Sequence, residues 1–250
     1  VPAGRRAPTD LRPLARAVLV GVDPGHGGRD LGARHFNADG HMDFNESQVV
    51  LEIGLRLAQL LRDRGYGVVM TRDGDYYLND KEKLDINGDG WYDEMDQLQQ
   101  RVDILNAAGA DLIVSLHLNA YEGEDVNEVG GTTTYYCAAR PFSDQSLRLA
   151  QLVQEHTLRA LAELGYASRD RGVRLDLEAG TPDEHLILLG PEDEDCARAS
   201  KMPGALVESL FITNETEARL MQQEDVREAL ARALLEAIED YVAEARSDGP

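Results

Sequence analysis

At 250 residues, with 46 Asp and Glu against 25 Lys and Arg, the chain carries a formal net charge of −21. That balance excludes a basic nucleic-acid binder, because displacing counterions from phosphates requires clustered cations. With 42% hydrophobic and 28% charged residues the chain can bury a large core, its length suits one large domain, and no apolar run approaches the ~18 residues needed to cross a bilayer.

Residues 1–16, rich in Pro, Arg and Ala without periodicity, read as a flexible lead-in, and a single domain is expected over 17–246. The domain opens with an apolar run, 17–23, that ends in Pro24-Gly25-His26-Gly27-Gly28, which predicts a buried strand entering a glycine-rich loop. Asn37-Ala38-Asp39-Gly40 reads as a turn between short strands. From Glu46 the period changes. Val49, Val50, Ile53, Leu57, Leu60 and Leu61 recur at spacings of three and four, predicting an amphipathic helix that stops near Gly65.

A strand over 67–72 is followed by an acidic loop and a helix around 95–108. Strands are expected over 112–117, 131–137, 185–189 and 205–211, and helices over 144–164 and from about 224 to 245. This alternation predicts an α/β fold, with a central mixed, mostly parallel sheet flanked by helices on both faces. The stretch around 175–202 is broken by Gly180, Pro182, Gly190 and Pro191 and reads as a rim insertion shaping a cleft, not as a helix. Cys137 and Cys196 have no CxxC spacing, and one disulfide or two unrelated thiols are equally consistent with the sequence.

In open α/β sheets functional groups gather at the carboxyl ends of strands. His26 follows the first strand, His117 closes the 112–117 strand, and Glu46 begins the first long helix. Two imidazoles and a carboxylate suffice for a catalytic zinc that keeps a fourth position open. Glu208 lies in the middle of an otherwise apolar strand, where a carboxylate is costly unless paired or used, making it a candidate general base. Taken singly, each residue also has a plainer reading: a loop histidine, a carboxylate favoured by a helix dipole, a partner for an arginine.

Taken in order, the segments form a pattern. Val20-Gly-Val-Asp-Pro-Gly-His-Gly-Gly-Arg-Asp-Leu-Gly-Ala33, Asn45-Glu46, Thr71-Arg72, Arg101 with Asn106-Ala107, Ala110-Asp-Leu-Ile-Val-Ser-Leu-His-Leu-Asn-Ala120, Gly130 to Tyr136 and Val207-Glu-Ser-Leu-Phe-Ile-Thr-Asn214 closely resemble the zinc-dependent N-acetylmuramoyl-L-alanine amidases of the Amidase_3 type. The resemblance covers about 17–243. It implies His26, Glu46 and His117 as zinc ligands and Glu208 as the catalytic carboxylate. It also implies hydrolysis of the amide between the lactyl group of N-acetylmuramic acid and the L-alanine of the stem peptide. Peptidoglycan or a muropeptide is then the substrate, in a secreted, periplasmic or cell-wall-associated setting, with any activator or wall-targeting partner unspecified. His35, His41, His156 and His185 fall outside the matched positions and read as surface or packing residues.

A second metal signal departs from the basic family pattern. Asp85-Ile-Asn-Gly-Asp-Gly-Trp-Tyr-Asp-Glu-Met-Asp96 fits a twelve-residue calcium loop, with Asp85, Asn87, Asp89, Asp93 and Asp96 at the oxygen positions, the Trp91 carbonyl at the seventh and Gly90 at the sixth. A solvated acidic loop is the alternative.

Two other functions compete: a catalytically idle, calcium-dependent wall-binding module, and a zinc peptidase acting on another amide. Because cell walls are anionic, a chain at −21 is not steered onto its polymer by charge.

Overall fold

The computed structural model describes residues 17–180, 184–193 and 196–247, so the lead-in at 1–16 lies outside the described residues. Six strands form the main sheet: β1 (Leu19–Pro24), β4 (Gly67–Met70), β5 (Leu112–Asn119), β6 (Thr132–Tyr136), β7 (Asp170–Leu175) and β8 (Gly204–Phe211). Their order is β4-β1-β5-β8-β6-β7. Strand β1 runs parallel to β4 and β5, β5 to β8 and β6 to β7, whereas β6 is antiparallel to β8. The expected mixed, mostly parallel sheet is therefore present. A small hairpin, β2 (Arg34–Phe36) with β3 (Met42–Asn45), turns at the Asn37–Gly40 segment as expected.

Successive strand residues point to opposite faces, and the two faces are covered differently. Val20 and Val22 of β1, Leu112, Val114 and Leu116 of β5 and Val207 of β8 share one core with α1 (Glu46–Asp63), α3 (Ser143–Glu163) and α5 (Glu224–Ser247). Complete burial of each such side chain contributes about 1.5–3 kcal/mol, so this layer dominates the stability. On the other face Ile113 meets Val102 and Leu105 of α2 (Glu94–Ala108) together with Ile187, Leu188 and Met202. Helices thus cover both faces, with irregular chain completing the second.

Three elements differ from the sequence expectation. Residues 185–189 form a turn, not a strand; Leu186 accepts from the Leu189 and Gly190 amides, and the apolar side chains pack without a ladder partner. The sixth strand of the sheet is instead β7, an edge strand bearing three charged residues. A short helix, α4 (Glu215–Met221), starts at Asn214, whose side chain accepts from the Thr216 and Glu217 amides. The 175–202 stretch has one short 3-10 turn at Asp176–Glu178 among its described residues; Ile187, Leu188 and Met202 cluster with α2, whereas Leu186 and Leu189 pack with Tyr135, Cys137 and Leu206.

Candidate metal centre

The site begins where β1 ends. A Cβ on Gly25 would stand 2.2 Å from Cε1 of His117, so only glycine lets the loop pass beneath that ring. His26 then adopts a left-handed backbone with φ 60°, a conformation that costs a branched or bulky residue energy and persists only where its surroundings enforce it. Two buried arginines do so. Arg72 donates to the carbonyls of Pro24, Gly25 and Ser47 at 2.9, 2.7 and 2.7 Å, and Arg101 donates to those of Pro24 and His26 at 2.9 and 2.6 Å. Burial and the neighbouring Arg101 charge bring Arg72 down to about 10.

Beneath the loop, Asp23 accepts from the Thr71 and Ser115 hydroxyls at 2.5 and 2.6 Å and from Arg101 at 2.8 Å. Burial alone would raise its carboxyl, yet the Arg101 charge and the two hydroxyls bring it to about 2.

Three potential ligands converge above this platform. Asn45 caps α1 by accepting from the Gln48 amide, which fixes Glu46 as the first helical residue. Glu46 Oε1 lies 3.1 Å from His26 Nε2 and 3.0 Å from His117 Nδ1. It also accepts from the Leu118 amide at 2.9 Å, while Oε2 accepts from the Ala33 amide at 2.9 Å. The His26 and His117 rings meet edge to face with centroids 5.0 Å apart. Gly32, at φ 62°, closes the turn behind them; a Cβ there would fall 2.5 Å from Glu46 Oε2.

His26 Nδ1 lies 2.9 and 3.0 Å from the Asp30 oxygens. An ionised carboxylate only accepts, so Nδ1 carries the proton and Nε2 faces Glu46. Burial would lower the imidazolium, but the hydrogen bonds to Asp30 and Glu46 push it to about 10. Glu46, although buried, is held below the usual carboxylate range by His117 and His26. The pocket thus favours a positive charge between its two imidazoles and the carboxylate, and its N, N, O donor set suits zinc.

Glu208 stands beside this group. Strand pairing puts it in register with His117 on β5 and with Thr133 on β6. Its Oε2 is buried and has no hydrogen-bond partner. Burial, reinforced by the Glu46 charge, lifts its carboxyl well above the ordinary range, with His26 pulling the other way. An unsatisfied buried oxygen is expensive in a folded protein and points to a partner that arrives from outside.

His26, Glu46 and His117 are therefore brought together with Glu208 next to them. Sequence reasoning missed Asp30, which orients His26 from within the same glycine-rich turn; a carboxylate four residues after a candidate histidine ligand was the available signal.

The six residues of the acidic loop are placed differently. Asp85 accepts from the Gly88 and Gly90 amides, Asn87 from Asp89, and Asp89 from Trp91. Asp93 caps α2, and the buried Asp96 accepts from the Ile86, Asn87 and Asp93 amides. Both cysteines are free and buried. His35 and His156 bridge carboxylates as structural residues, the former to Asp43 and Glu215, the latter to Glu236 and Asp240. His185 contacts Asp176 and Cys137.

The sequence profile described as N-acetylmuramoyl-L-alanine amidase matches residues 20–240. The chain belongs to that family. Among curated relatives, the N-acetylmuramoyl-L-alanine amidase LytC of Bacillus subtilis is 30% identical over 220 residues, which are 88% of this chain and 34% of LytC. The chain thus spans about a third of that relative's length. The germination-specific amidase of Bacillus subtilis is 27% identical, over 95% of this chain and 84% of the relative. Among solved structures, the CwlD amidase of Clostridioides difficile, in complex with the GerS lipoprotein, superposes with a TM-score of 0.67 at 26% identity, covering 91% of this amidase-family chain and 99% of that one. The amidase AmiC2 of Nostoc punctiforme gives 0.65 at 27% identity, over 90% and 97%.

Proposed function

We propose that this amidase-family domain is a zinc-dependent N-acetylmuramoyl-L-alanine amidase, cleaving the amide between the lactyl group of N-acetylmuramic acid and the L-alanine of the peptidoglycan stem. The observation that carries the reading is the unpartnered, buried Oε2 of Glu208 beside the His26–Glu46–His117 group. In this reading His26, Glu46 and His117 hold zinc, and Asp30 fixes the ring of His26 through Nδ1. When bound, the metal supplies a water acidified to a pKa of about 7 and a Lewis acid for the lactyl carbonyl.

The rest falls to the chain. Glu208 takes the proton of the attacking water on its free oxygen and returns it to the departing alanine nitrogen, which would otherwise be a poor leaving group. Its buried, unpartnered oxygen suits that shuttle, because no group of the chain competes for the proton there. Arg72 and Arg101 position the His26 turn through its backbone carbonyls.

The test is digestion of purified peptidoglycan with metal-free and zinc-restored protein, followed by mass analysis. Restored release of free stem peptides beginning with L-alanine is expected. Cleavage inside the stem would assign the domain to the peptidases, and inertness of the restored protein would leave the idle wall-binding reading. The setting proposed is the cell wall, secreted or periplasmic, in keeping with the named relatives and with the finding that no described helix is long and apolar enough to cross a membrane. A protein activator belongs to the same proposal, by analogy with the Clostridioides difficile amidase found in complex with a lipoprotein.

The calcium reading of 85–96 is also proposed. Its support is the ligand spacing and the folded turns at Asp85, Asn87 and Asp89. Against it stands Asp96, whose oxygens would have to exchange amide hydrogen bonds for the cation. Tyr92 in the loop accepts from Arg29 at 2.8 Å, three residues beyond His26, which would let an ordered loop support the edge of the cleft.

A further inference from the structure

Strand β6 runs opposite to β8, so its two ends serve opposite rims of the sheet. Thr133 is level with Glu208, and Cys137, four residues on, lies about 13 Å farther along at the far rim, given ~3.3 Å per strand residue. There the pairing of Tyr136 with Leu175 brings Asp176 alongside Cys137, and the turn after the 179–184 stretch returns His185 to both. Cys137 Sγ is 3.5 Å from His185 Nδ1, which is 2.9 Å from Asp176 Oδ2. Cys137 and Asp176 are each 1% exposed, while His185 reaches solvent.

The arrangement is not a nucleophilic triad. Such a relay needs the two different ring nitrogens of a histidine, one toward the sulfur and one toward the carboxylate. Here a single nitrogen, Nδ1, faces both partners. Three unlike donors pointing at one spot is the geometry of a coordination centre. Zn–S of about 2.3 Å and Zn–N of about 2.0 Å at a tetrahedral angle put the two donors about 3.5 Å apart, the separation observed. Tyr135, Leu189 and Leu206 pack with Cys137 in one buried cluster. Arg140, three residues beyond Cys137, donates to the carbonyls of Gly190 and Ser200, while its Nε is buried without a hydrogen-bond partner.

We propose that Cys137, Asp176 and His185 form a second site for a zinc-class divalent metal, three protein donors with the fourth position left to water on the exposed side of His185, which clasps the β6–β7 edge to the chain covering the sheet's second face. Binding displaces two protons: the thiol proton goes to solvent as the S–metal bond forms, and the proton that His185 Nδ1 holds toward Asp176 is released or replaced by the Nε2–H tautomer as the N–metal bond forms. The site is independent of the amidase assignment and lies away from the His26–Glu46–His117 group.

The experiment uses metal-free full chain titrated with Co2+ and read by absorption and by stoichiometry. A thiolate ligand gives Co2+ an intense near-ultraviolet charge-transfer band that an imidazole and carboxylate site cannot give. The expected result is such a band complete by two equivalents of added cobalt, one for each proposed centre, with the band lost and uptake reduced to one equivalent in Cys137→Ser and in the partly exposed His185→Gln, and with peptidoglycan hydrolysis by His185→Gln unchanged. A band that survives both substitutions, or is absent from the folded wild-type protein, overturns the proposal. Should Cys137→Ser fail to fold, His185→Gln and the wild-type titration decide by themselves.

Discussion

Glu208 and His117 are register partners on adjacent parallel strands, one rung of the sheet carrying a candidate base and a candidate metal ligand side by side. They form the last rung before the register shifts between His117 and Asn119, so their spacing is set by the ladder that leads up to them. A site built this way tolerates little displacement, which makes its substitutions informative.

Glu208→Gln keeps the shape and removes the base. Hydrolysis should fall by about 10²- to 10⁴-fold while bound zinc, measured by elemental analysis, stays at the wild-type level. Full turnover in this variant would remove Glu208 from the mechanism. His26→Ala and His117→Ala should instead lose the metal.

Asp30→Asn probes the group behind the ligand. Losing the carboxylate that holds the Nδ1 proton of His26 should weaken zinc by about 10- to 100-fold in a competition titration with a chelator. Activity should return at saturating zinc, a recovery that Glu208→Gln cannot show.

Gly32→Ala adds one methyl at φ 62°, 2.5 Å from Glu46 Oε2. The carboxylate or the turn must move, so metal affinity should drop far more than thermal stability. Equal retention of both would mean that the turn yields without disturbing Glu46.

Asp23 predicts an acid limit. Its folded carboxyl lies at about 2, below the ordinary 3.8, so its contribution is full above roughly pH 4 and is lost as pH falls toward 2. The shift corresponds to about 2 kcal/mol. Asp23→Asn should cost about 3–5 kcal/mol at neutral pH by leaving Arg101 buried without its counter-charge, and should flatten the unfolding free energy between pH 4 and 2. Denaturant melts at several pH values report both effects.

Calcium, if bound by 85–96 in the native state alone, stabilises by about 2.7 kcal/mol at a hundred times its Kd, or roughly 5–10 °C for a chain of this size. The melting temperature of metal-free protein with and without millimolar calcium decides this. An unchanged temperature retires the calcium reading.

The convergence of the candidate metal ligands was legible because each lies at or near the end of an element whose periodicity is strong: His26 after β1, His117 within β5, Glu46 at the start of α1. What escaped was chemistry directed at the backbone. Arg72 and Arg101 spend their donors largely on carbonyls, and no residue pattern announces a carbonyl. Ile187, Leu188 and Leu189 imitate a buried strand in composition, yet are apolar because they cover the sheet. Strand β7 was missed for the opposite reason: edge position permits Asp170, Arg171 and Arg174, so its sequence looks like a loop.

The guanidinium platform under His26 has one more effect. Arg72 sheds its proton only near pH 10, and Asp23 takes one up only near pH 2. The foundation of the cleft is therefore insulated from acidity across the whole neutral range, and whatever pH profile hydrolysis displays will report the reacting groups, not a softening of the turn that carries them.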